Sequence, residues 1–99
     1  MAKEHILFDK TEIIVAVSMG NNMQLVNLPA SSITSITIAA CEERKLLVAK
    51  PSEMISIVTS RMGEPITMYK SKEAKYWESY KKGLEDFAAY NRISFHKNV

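Results

Sequence analysis

Hydrophobic residues recur at every second position through the first two thirds of the chain, and at every third or fourth position near its end. Residues 12–19 read EIIVAVSM. Ile13, Val15, Val17 and Met19 share one side, with Ile14, Ala16 and Ser18 on the other, which is the alternation of a strand. Gly20-Asn21-Asn22 tolerates positive φ and predicts a hairpin turn, with MQLVNL over 23–28 as the returning strand. Pro29-Ala30-Ser31-Ser32 interrupts the pattern. The alternation resumes over 33–41 and returns over 45–50 after a charged tip at Glu42-Glu43-Arg44. Pro51-Ser52 reads as another break. Strands over 54–60 and 65–69 then flank a turn at Arg61-Met62-Gly63-Glu64, and a short first strand over 5–8 turns through Asp9-Lys10-Thr11. The result is seven short strands within residues 5–69. Their spacing predicts an antiparallel barrel or sandwich in a mainly β, α+β chain.

From residue 72 the period lengthens. Trp77, Tyr80, Leu84, Phe87, Ala88 and Asn91 fall on one helical face over about 72–92. Ser71 is the expected N-cap, Glu78 and Lys82 the expected i,i+4 ion pair, and the helix should break near Asn91–Ser94. Gly83 costs about 1 kcal/mol relative to Ala inside a helix, so a close approach of a strand is the reason to expect it there. Seven of the eight aromatic residues lie at or beyond Tyr69. Aromatic side chains bury about 150–250 Å² each. Trp77, Tyr80, Leu84 and Phe87 are thus predicted to plug the open end of the β-structure.

Seven strands followed by one amphipathic helix is the order of the pleckstrin-homology-like fold. LPASSITSITI resembles the passage from the third to the fourth strand in bacterial members. MISIVTSRMGEPITMYKSKEAKYWESYKKGL resembles their last hairpin running into the helix, with Trp77 where many such domains carry a tryptophan. The resemblance covers almost the whole chain and implies a single domain over 1–99. It implies binding of phosphoinositide headgroups, peptides or proteins, with lipid-binding members carrying several cations between the first two strands. Here that loop is Asp9-Lys10-Thr11-Glu12, one lysine between acids, whereas phosphate recognition calls for clustered cationic donors.

Composition narrows the chemistry. Thirteen basic and eleven acidic residues leave a net charge of +2, interleaved rather than striped, which argues against a nucleic-acid partner. Lys70, Lys72, Lys75, Lys81 and Lys82 are interrupted by Glu73, Glu78, Glu85 and Asp86 and read as a solvated helix face. Cys41 is the single cysteine, no apolar run is long enough for a membrane span, and a cytosolic setting is expected. His5, Cys41 and His96 are too scattered for the paired spacing of a zinc site, so no metal or other cofactor is expected. Cys41 at a strand end, and Glu42-Glu43 at a tip, lack the partners that nucleophilic or acid–base catalysis needs. The expectation is a non-catalytic module binding a protein, a peptide or another copy of itself, with no stable membrane association. Lys10, Arg61 and Met62 are the candidate contacts: a turn cation, and an exposed turn whose methionine adapts to varied partners. A peripheral reader of anionic headgroups and a small enzyme with an open-barrel pocket are the alternatives.

Overall fold

A computed structural model of the chain describes residues 6–19, 22–45, 47–61 and 63–98. His5, the Gly20-Asn21 pair and Met62 lie outside the described residues. Alternation decides the first sheet. β1 (Ile6–Phe8), β2 (Glu12–Met19) and β3 (Asn22–Pro29) pair antiparallel in that order. Ile6 lies opposite Val15, Val15 opposite Val26, and Ile13 opposite Leu28. A one-residue slip would reverse every side chain, so burial of Ile6, Ile13, Val15 and Leu28 pins the register.

A single 3-10 turn at Ala30–Ser32 leads into the second sheet. This holds β4 (Ile33–Lys45), β5 (Val48–Thr59), β6 (Ile66–Tyr69) and β7 (Ser94–Asn98), in the order β6-β5-β4-β7. Ile36 pairs with Ile57 and Ile38 with Ile55, and all four are buried. Between β6 and β7 come α1 (Lys70–Glu73), a 3-10 turn and α2 (Trp77–Asn91). α2 contacts β1 of the first sheet and β4 and β7 of the second. Its Trp77, Tyr80, Leu84, Phe87 and Ala88 are buried in one core with both sheets' inner faces.

The chain is mainly β with a helix near its C-terminus, but the expected set of seven antiparallel strands is corrected in three ways. Residues 45–50 and 54–60 do not form two strands, because β5 runs unbroken through Pro51-Ser52. Pro51 lies beyond the end of β6, an edge position where proline is tolerated. The seventh strand follows the helix and pairs parallel with β4. A parallel neighbour needs a long crossover, and α2 supplies it by returning the chain to the starting end of β4. The described sheets are therefore two open ones, the second of mixed direction, rather than a closed antiparallel barrel.

The helix starts differently too. Helical geometry begins at Lys70 with Tyr69 at the cap, and the Ser71 hydroxyl donates to Glu43 instead of capping. Glu78 pairs with Lys81 at 3.2 Å, while Lys82 pairs with Asp86. At the other end Arg92 takes the left-handed conformation, φ 58°, and its N–H and that of Ile93 satisfy the Ala88 carbonyl. Gly83 meets the ring of Phe8 on β1: a Cβ there would lie 2.6 Å from two ring carbons. The close approach expected of this glycine is to an aromatic ring.

Candidate functional site

The outer edge of β3 is the longest sheet edge in the described fold. Its neighbour on one side is β2, and no described strand lies along the other. Its eight residues, NMQLVNLP, carry no charge. Proteins usually blunt such an edge with lysine, brevity or cover. The other edge strands are short or charged, β1 with three residues, β6 with four and the five-residue β7 with His96 and Lys97. The ends of β4 and β5 that run past β7 and β6 carry Glu42, Glu43, Arg44, Lys50 and Pro51, and residues 16–19 of β2 run past β1.

Hydrogen-bond parity shows what this edge offers. The Ala30 N–H donates to the Thr11 carbonyl at 2.8 Å, so Thr11 and Ala30 form a hydrogen-bonded pair. Bonded and non-bonded pairs alternate in an antiparallel ladder. Leu28, Val26 and Gln24 therefore turn their backbone groups toward β2. Met23, Leu25 and Asn27 turn theirs outward, whereas Pro29 has no N–H and its carbonyl accepts from the Ser32 hydroxyl at 2.8 Å. Met23 and Leu25 also stand exposed, 57% and 72%, on the sheet's outer face.

The outward row continues across that sheet. Leu7 lies beside Ile14, Ile14 beside Asn27, and Ala16 beside Leu25. Leu7 is 52% exposed, and Ile14 and Ala16 are half-buried. The outer face is thus largely apolar, whereas outward residues of a one-sided antiparallel sheet are ordinarily polar.

Two polar clusters lie on the second sheet. Glu53 has the inward parity of Ile55 and Ile57, which would strand a carboxylate against the core. Trp77 and Lys81 resolve this: the indole N–H donates to its Oε1 at 2.8 Å, and the Lys81 ammonium donates to the same oxygen at 3.1 Å. The Trp77 bond, followed by Lys81, holds the Glu53 carboxyl below the usual carboxylate range despite partial burial. Burial works against the Lys81 ammonium, but its bonds to Glu53 and Glu78 outweigh that and raise its pKa. The second cluster lines an open groove of about 460 Å³ between β5 and α1. There Glu43 accepts from the hydroxyls of Ser52 and Ser71, with Lys50 and Lys70 alongside. Cys41 is half-buried, and burial, then Glu43 and Glu53, push its thiol pKa up, so it stays protonated at neutral pH.

Lys10 is exposed in the β1–β2 turn. Its backbone N–H bonds to Asp9, and its carbonyl accepts from Asn91 at the end of α2. Asp9, Asp86, Phe87 and Tyr90 share its open groove of about 500 Å³. Arg61 is exposed in the β5–β6 turn. The Thr11–Ala30 bond and a Ser60–Ser32 bond chain the turns of Lys10 and Arg61 to the same end of the molecule. Met62 lies outside the described residues. Trp77, Tyr80, Leu84 and Phe87 are all buried between the sheets. Among the described residues no group of three His, Cys, Asp or Glu is placed to hold a metal, and no helix is long and apolar enough to cross a membrane.

Sequence reasoning passed over the β3 edge and Glu53. Both left a signal: eight uncharged residues in a strand, and a glutamate at core parity two residues before Ile55. No family model matches the chain, and neither does any curated protein or solved structure.

Proposed function

We propose that the chain is a non-catalytic binding module that takes up an extended protein or peptide segment by strand addition along β3. The observation that carries this is an uncharged, uncovered edge that turns the backbone groups of Met23, Leu25 and Asn27 outward. Strand addition draws its affinity from such main-chain groups and its specificity from alternate side chains. Here the flanking side chains are Met23, Leu25 and the polar Asn27 on the outer face, and are mixed on the inner. The Glu53 and Glu43 carboxylates already accept from Trp77, Lys81, Ser52 and Ser71, and the protonated Cys41 is a weak nucleophile, so the reading involves no chemistry. Strand-rich structure leading into a helix, with Trp77 in the first turn of α2, is what supports the pleckstrin-homology-like reading, from which the chain departs by having six strands before the helix and a parallel strand after it.

Selection of extended peptides from a displayed random library tests the proposal. Amide shift changes of selected binders should centre on Met23, Leu25 and Asn27. Binders that map instead to the Lys10 groove would transfer the function to the helix side. A second reading, headgroup recognition, draws on the turns of Lys10 and Arg61 sharing one end of the molecule. Asp9 and Asp86 beside Lys10 weaken it. No association with phosphoinositide vesicles is expected at physiological salt, where screening acts within about 8 Å. Saturable vesicle binding abolished by Lys10→Glu would establish that second reading.

A further inference from the structure

We infer that the segment taken up by β3 is β3 of a second copy, paired antiparallel across a two-fold axis. This rests on the strand-addition reading above and adds the identity of the partner. Self-pairing needs an edge that complements itself, in charge, in hydrogen bonding and in shape.

Charge is satisfied because β3 contains no ionisable side chain, so no register brings like charges together. Hydrogen bonding selects the register. The residues with both backbone groups free are Met23, Leu25 and Asn27, spaced by two. One antiparallel register maps this set onto itself. It places Leu25 opposite Leu25 of the second copy and Met23 opposite Asn27 in both directions. Every outward N–H and C=O of the three then finds a partner, and Pro29, without an N–H, falls past them. A register shifted by two leaves one of the three to pair with Pro29 or with a residue beyond Asn22.

Shape agrees. Among the residues of this sheet whose exposure is described, Leu25 is the most exposed apolar one and sits on the axis, so two leucines meet on the outer face. Met23 reaches diagonally toward the same leucine of the other copy, a distance of about 7–8 Å that long side chains span. The three-stranded sheets join as a six-stranded one, β1-β2-β3 continuing into the second copy's β3-β2-β1. The outer-face residues Leu7, Ile14, Ala16, Leu25 and Met23 then lie on one face of the joined sheet, with Asn27 opposite Met23 of the other copy. One strand pair is a small interface, below the ~1,200 Å² of a standard one, so the association is weak and concentration-dependent.

Sedimentation equilibrium and amide hydrogen exchange on the full chain, from about 10 μM to 1 mM, test this inference. Dimerisation is expected, with protection rising with concentration at the amides of Met23, Leu25 and Asn27. Gln24 and Val26, already bonded to β2, should be protected throughout. Leu25→Lys sets two ammonium groups face to face and should raise the dissociation constant about tenfold or more. Leu25 is exposed, so the variant should keep its fold, which circular dichroism checks. In a Cys41→Ser background, Met23→Cys mixed with Asn27→Cys should cross-link as a heterodimer in preference to either alone. A monomer at 1 mM, or a dimer untouched by Leu25→Lys, overturns the inference. If library peptides still map to β3 while the chain stays monomeric, strand addition stands and the partner is a different protein. If neither occurs, both readings fall.

Discussion

The two sheets obey the same alternation inward and differ outward. On the second sheet the row Thr67–Ser56–Thr37–His96 crosses all four strands and is polar throughout. On the first sheet the row across all three strands is Leu7–Ile14–Asn27, with Ala16, Leu25 and Met23 further along the same face, so it is apolar apart from Asn27. The second sheet also has short or charged edges and is tied to the helix through Glu53, Trp77 and Lys81. The first ends in the bare edge of β3. The second sheet also turns Tyr69 and Val58 outward, but both are less exposed than Leu25, Met23 and Leu7, so the first sheet keeps the more exposed apolar face beside the β3 edge. Inward contacts and the Glu53 cluster hold the fold, and the first sheet's exterior is the surface that the proposed strand addition would use.

The sharpest way to break this division is at Trp77. Trp77→Ala removes a buried aromatic and leaves Glu53 with Lys81 alone, and should cost roughly 3–5 kcal/mol in chemical denaturation. A cost below ~1 kcal/mol would mean that the second sheet is not held through the helix. Glu53→Ala leaves the buried indole N–H without its acceptor and should cost about 1–3 kcal/mol.

Titration sharpens the same point. Glu53 has a depressed folded pKa, so its contribution is present above the unfolded carboxylate value of ~4.3 and is lost as pH falls through the folded value. Lys81, with its pKa raised, keeps its contribution below the unfolded ammonium value of ~10.4 and loses it only as pH rises through the folded value. Stability from this cluster should be flat near neutrality. Glu53→Gln should remove part of the acid slope of the denaturation midpoint, and an unchanged acid limb would assign that slope to other carboxylates.

Smaller effects mark the boundary. Arg92 holds a left-handed conformation that costs a non-glycine residue about 1–2 kcal/mol, and Arg92→Gly should recover up to ~1 kcal/mol after the added chain entropy. Thermal denaturation would show this as a raised midpoint. The smallest stability change belongs to the first sheet's exterior. Leu25→Thr keeps a strand-favouring residue at an exposed site and should shift stability by less than ~0.5 kcal/mol, measured in denaturant. A loss above ~1 kcal/mol would show that the outer face already has a partner within the chain.

The sequence by itself determined which side chains go inward. Ile13 and Val15 alternate, Trp77, Tyr80, Leu84 and Phe87 recur with helical spacing, and burial follows from those periods because each residue's direction is a local property of strand or helix. Uncharged β3 and Glu53 at core parity were also legible as composition and spacing. What these features do was not legible. Pro51 punctuates a sequence, yet β5 passes through it, because only the place where β6 ends makes that position an edge. SFHKN is too short and polar to announce a strand, and it becomes β7 because α2 delivers it beside β4. Glu53 meets Trp77 and Lys81 from 24 and 28 residues away. An edge, a parallel neighbour and a buried ion's partner are relations between distant segments. They exist only once the chain has closed on itself, so tertiary structure alone decided them.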